Sequence, residues 1–173
     1  MLHAPKPLVL RAALAALMAT SLFPSPAHAA GTDAFWARLD QLVSRQAYPT
    51  AMLELERAMA RGAFEERWSD RAEYWLGYVE RRSGEPDKAL AELARVPTES
   101  AWYLKALQER AEIERQKGDT DGAIALYEKL LTLVPDQQSD AVRAPLADLY
   151  FESGQYAKAL THYRALASTF GPQ

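Results

Sequence analysis

The strongest constraint in this chain is a spacing. An alanine followed four residues later by a large apolar residue occurs four times, as Ala51 with Leu55, Ala89 with Leu93, Ala123 with Tyr127 and Ala159 with Tyr163. The alanines lie 38, 34 and 36 residues apart. Each is followed directly by Met52, Leu90, Ile124 or Leu160, and seven residues on by Ala58, Val96, Leu130 or Leu166. Those offsets mark one face of an α-helix. Five residues before the alanine stand Gly84, Gly118 and Gly154, with Gln46 in the first copy. Glycine there ends the preceding helix, because it takes the left-handed conformation without steric cost. Each unit therefore reads as helix, tight turn, helix. One such pair cannot bury its apolar face alone, whereas a stack of pairs buries a continuous core.

The best copies are Gly118 to Tyr127, closing at Pro135, and Gly154 to Tyr163, closing near Pro172. First-helix pairs Leu76-Gly77 and Leu146-Ala147 accompany them. These features resemble the tetratricopeptide-repeat family, whose period is about 34 residues with a small-x3-aromatic pattern in the second helix. The resemblance spans nearly all of residues 32–172. It implies an all-α fold, a right-handed α-α superhelix (solenoid) of about four helix-turn-helix repeats, at approximately 32–68, 70–99, 101–135 and 140–172. Departures are local. The first copy has Tyr48-Pro49 at its turn, and proline suits the first turn of the following helix. Pro97 follows Ala89 by only eight residues, so that second helix should stop about a turn early. The next helix is expected near Ala101 with Ser100 as its cap. Phe64 to Ser69 reads as a long linker, and Asp70-x-x-Glu73 as a capping box.

In the resembled family the first helices line a groove that binds extended peptides or partner segments. Projected onto this chain, the groove-facing candidates are Trp36 and Asp40; Tyr74, Tyr78 and Arg81; Gln108, Glu112 and Arg115; and Asp148 and Phe151. Aromatic residues and arginine dominate interface energies. Helical spacing is equally what a core stripe produces, so ordinary packing is the competing reading for Trp36, Tyr74 and Phe151. Trp68, Trp75 and Trp102 read as core or linker plugs.

Residues 1–29 read as a signal peptide: Lys6 and Arg11, an apolar run from Ala12 to Phe23, then Pro24-Ser25-Pro26 and Ala27-His28-Ala29. The run is shorter than the roughly 20 residues a membrane span needs. Cleavage is expected after Ala29, leaving 30–173 as a soluble periplasmic or otherwise exported domain with no integral membrane segment. The whole chain carries 20 bases and 23 acids. Without Lys6 and Arg11 its charge becomes 18 minus 23, or −5. Acids and bases are interspersed, which argues against a nucleic-acid partner. There is no cysteine, so thiol chemistry, disulfides and thiolate metal sites are excluded. His162 is the only histidine after Ala29, and it reads as a surface or groove-edge residue. No nucleophile elbow or phosphate loop occurs, and pairs such as Glu65-Glu66 and Glu112-Glu114 read as solvated faces.

The chain is thus expected to be a non-enzymatic protein-binding scaffold or adaptor of the bacterial periplasm or cell envelope, with no cofactor and no metal. The alternatives are a dedicated subunit of an envelope machine (outer-membrane assembly, pilus or polysaccharide export) and, remotely, a carboxylate-dependent hydrolase. The fourth copy keeps Leu146, Leu149, Tyr150, Tyr163, Leu166 and Phe170, and the chain stops at Gln173 without a further covering helix. Some of these side chains are expected to meet solvent and make the C-terminal repeat a docking face, possible homodimerisation included.

Overall fold

The structure is a computed structural model that describes residues 26–62, 64 and 66–169. The basic and apolar parts of the expected signal peptide, and Phe170, lie outside the described residues. Eight α-helices occur among them: α1 Pro26–Ser44, α2 Tyr48–Ala60, α3 Glu66–Arg82, α4 Pro86–Arg95, α5 Tyr103–Lys117, α6 Thr120–Leu133, α7 Ser139–Glu152 and α8 Tyr156–Thr169. A single 3-10 turn, Asp136–Gln138, leads into α7. The fold is the expected all-α one.

The chain divides into two compact units, residues 1–38 and 39–173. In the first, the described residues form the beginning of α1, where the Phe35 and Trp36 rings meet edge to face at 5.2 Å. In the second, α3 packs on α4, α5 on α6 and α7 on α8, and successive pairs join through α2 with α3, α4 with α5 and α6 with α7. One apolar cluster runs without interruption from Tyr74 to Ala159.

The repeat is built from one local device used four times. Gly84, Gly118 and Gly154 have φ of 83°, 82° and 77°, and Gln46 takes the same left-handed conformation at 58°. The residue after each, Ala47, Glu85, Asp119 or Gln155, donates its N–H to a carbonyl five residues back, at 2.8–2.9 Å. This closure satisfies the carbonyls left over at a helix end. The repeat alanine then donates to the carbonyl four residues before it, at 3.0–3.1 Å in all four copies, which starts the second helix. In the third copy Asp119 caps that helix by accepting from the Gly122 N–H at 3.0 Å. Ala51, Ala89 and Ala123 are 0% exposed and Ala159 is 1% exposed. Helix α3 approaches α4 closely at Gly77: the Cβ of an alanine there would meet Leu93 Cγ at 2.5 Å and the Ala89 carbonyl oxygen at 3.1 Å.

The structure settles three boundary expectations. Helix α4 does end early, at Arg95, just before Pro97. The expected linker and capping box at Asp70 are corrected, because α3 starts a turn earlier, at Glu66. The Asp70 side chain instead accepts from the Ser100 hydroxyl, 30 residues away, and from the Arg71 N–H at 2.8 Å. Helix α5 begins at Tyr103 rather than near Ala101. Ser100 Oγ accepts from the Trp102 N–H at 3.0 Å within the turn that precedes it.

Candidate functional site

The candidate residues separate into three groups by burial. Trp36 and Tyr74 are core residues, 3% and 7% exposed, and offer no surface to a partner. Tyr74 stacks on Trp102 with ring centroids 5.0 Å apart and meets Trp75 edge to face at 5.5 Å. Trp75 and Trp102 pack against the apolar cluster, in keeping with their reading as plugs. Tyr78 stands half-buried at the edge of this aromatic group, its ring 5.2 Å from the Arg82 guanidinium. Asp40, Gln108, Arg115, Asp148 and Phe151 are exposed.

Arg81 bridges two first helices. Its Nε forms an ion pair at 2.7 Å with Glu109 on α5, with both side chains largely buried. Burial pushes the Glu109 carboxyl above its ordinary range, and Arg81 and Arg82 oppose this. Glu109 was not among the sequence candidates. The only signal for it was its place on α5, one residue from Gln108.

The remaining candidates converge. Glu112 and Arg115 of α5, with Ala144, Pro145, Asp148, Leu149 and Glu152 of α7, line a cleft of about 300 Å3. Arg115 grips Glu112 with two hydrogen bonds, Nε at 3.0 Å and Nη2 at 2.6 Å. Those bonds hold the Glu112 carboxyl below the usual range, assisted by Gln116 and the Tyr127 hydroxyl. A second-helix tyrosine serves each acid wall: Tyr127 donates to Glu112 at 3.2 Å, and Tyr163 to Asp148 at 2.6 Å. These pairs recur because Glu112 and Asp148 both stand eleven residues before a repeat alanine, and the tyrosines four after it. Burial pushes the Tyr127 hydroxyl up to about 12, with Glu112 adding to the effect.

His162 lies outside this cleft. Its ring stacks on Tyr150 at 5.5 Å with planes 12° apart. Burial lowers its pKa, and Arg143 lowers it further. Among the described residues no group of three or more His, Asp or Glu is arranged to hold a metal ion, and no helix is long and apolar enough to cross a membrane.

The C-terminal repeat buries Leu146, Leu149 and Tyr150 and leaves other apolar side chains open. Phe151 is 57% exposed, Tyr156 63%, Leu160 47% and Tyr163 38%. Together with Ala159 they line an apolar hollow of about 390 Å3. In the copy before, Ile124 occupies the place of Leu160 and is buried.

No curated protein matches the chain in sequence. Its fold is similar to that of a tetratricopeptide repeat protein from Parabacteroides merdae (TM-score 0.69, 18% identity), covering 79% of this chain and 52% of that one. The present chain thus spans about half the length of that protein. It is also similar to MamA (TM-score 0.67, 17% identity, 79% of this chain and 76% of that one). A third similar structure is YrrB, described as a tetratricopeptide-repeat protein with an unusual peptide-binding site (TM-score 0.59, 20% identity, 75% and 63%). The tetratricopeptide-repeat family profile matches residues 114–170, from the end of α5 through α8. The fold of this chain is the tetratricopeptide-repeat solenoid, and residues 114–170 carry the family's sequence pattern.

Proposed function

We propose that this protein is an exported, non-catalytic scaffold that binds an extended segment of another protein along the face made by its first helices, in the bacterial periplasm or cell envelope. The observation that carries this is the cleft between α5 and α7, where Glu112, Arg115 and Asp148, three groove positions from two successive repeats, line one concavity. The peptide-binding site named for YrrB supports the same use of the fold. The export part rests on the sequence of residues 1–29 alone. The adaptor reading tests by nuclear magnetic resonance: titrating peptides selected on the purified chain should shift the amides of Glu112, Arg115 and Asp148. Shifts confined to α4 and α6 would refute it. For export, intact mass of protein from a periplasmic fraction should correspond to a chain beginning at Ala30. A species retaining residues 1–29 would refute that part.

The open hollow at Phe151, Tyr156, Leu160 and Tyr163 supports a second contact, with another copy of the chain, since two-fold pairing is the commonest closed arrangement. Sedimentation across a concentration series should show a dimer that Leu160→Lys dissociates. A monomer at every concentration would remove this reading.

A further inference from the structure

The repeat register explains why the cleft exists. Arg81 and Arg115 stand eight residues before Ala89 and Ala123, and Glu109 and Pro145 stand fourteen before Ala123 and Ala159. The pair that bridges α3 to α5 is Arg81 with Glu109. One repeat later, the arginine is Arg115, and the place of its acid is taken by Pro145. Proline offers no carboxylate, so Arg115 turns back to Glu112 on its own helix. The space between α5 and α7 is left open, with Pro145 on its wall.

The charge around that space is unequal. Among the lining residues are three carboxylates, Glu112, Asp148 and Glu152, and one base, Arg115. That base is engaged by Glu112 in a bidentate contact and also feels Glu152. Asp148 and Glu152 lie one turn apart on α7, where like charges repel. Asp148 accepts from a neutral phenol, the Tyr163 hydroxyl. Beside these acids, Pro145 and Leu149 present apolar surface suited to the methylene stem of a long cationic side chain.

We propose that the peptide segment bound here is basic, and that it places a lysine or arginine side chain between Asp148 and Glu152. The inference rests on the groove reading above and adds the chemistry of its ligand. Glu112 and Asp148 are already held in place by Tyr127 and Tyr163, so an incoming cation meets oriented acceptors rather than mobile ones.

The test is a selection of random displayed peptides on the purified full chain, followed by fluorescence anisotropy with labelled synthetic copies. Lysine and arginine should be enriched. Replacing the selected base by norleucine should weaken binding about tenfold or more, as loss of a close charge pair does. Asp148→Asn with Glu152→Gln should do the same. Both changes keep the side-chain shape, and the asparagine still accepts from Tyr163. Binding should also weaken steeply as salt is raised. Ala144→Trp fills the cleft without altering charge and should abolish binding. Peptides that lose binding with Ala144→Trp, yet tolerate norleucine and the amide pair, would overturn the charge inference and leave the groove reading standing. Peptides indifferent to Ala144→Trp, or a selection that yields none, would overturn both.

Discussion

Glu80→Gln should stabilise this protein at pH 8 and change it little at pH 5. Glu80 lies on α3 and is 4% exposed, and its Oε2 is buried without a hydrogen-bond partner. The charges that reach it are mostly of its own sign. Glu92 and Glu85 act from α4 and its N-cap, and Glu56 from α2, against Lys88 of α4 alone. Burial, followed by those acids, pushes the carboxyl from its ordinary 4.5 up to about 7. The sign follows directly. The folded state holds this proton more tightly than the unfolded state, so the associated stability is complete below pH 4.5 and is lost as pH rises through about 7. At 1.36 kcal/mol per pH unit the full loss is about 3 kcal/mol. A glutamine removes the charge but brings an amide that also needs partners, which reduces the net gain to about 2 kcal/mol. For a chain of this size that is a rise in Tm of about 4–8 °C. The assay is a pair of circular-dichroism melts of wild type and variant at half-unit steps from pH 4.5 to 8.5. The difference in Tm should open between pH 5 and 7.5. A difference that is constant with pH, or a variant less stable at pH 8, would refute the reasoning. Any pH dependence shared by the two proteins cancels in the wild-type-minus-variant difference.

Three further outcomes are expected from the repeat geometry. Ala159→Leu places added volume at a 1% exposed position and should cost about 1–3 kcal/mol, whereas Ala157→Leu on the exposed side of α8 should cost much less; equal midpoints in thermal melts would contradict the register. Gln46→Gly should stabilise by about 1 kcal/mol, because Gln46 carries a left-handed φ of 58° where the other copies use glycine; urea unfolding measures it, and an unchanged midpoint refutes it. Arg81→Met leaves Glu109 buried without its bridging cation and should destabilise by about 2–4 kcal/mol at pH 8, with less effect at pH 4 once Glu109 is protonated. A pH-independent loss in that variant would show that the stem packing of Arg81, not its charge, is what matters.

The sequence by itself determined the repeat. Its markers are short-range, since a left-handed residue, a helix start two residues on and a small side chain five residues on all lie within a turn or two of chain. The sequence likewise implied the early stop of α4, because Pro97 has no N–H to donate and so cannot continue the helix. What only the tertiary structure decided lies across that local range. Asp70 was legible as a cap, but its oxygen goes to Ser100, 30 residues away, and α3 begins earlier. Trp36 and Tyr74 share their periodicity with groove-facing residues, because a core stripe and a binding stripe repeat alike on a helix; only packing distinguishes them. Glu109, Glu80 and the cleft at Pro145 depend on which residues of one repeat meet those of the next. That register is set by the stacking of whole helices, and no single helix encodes it.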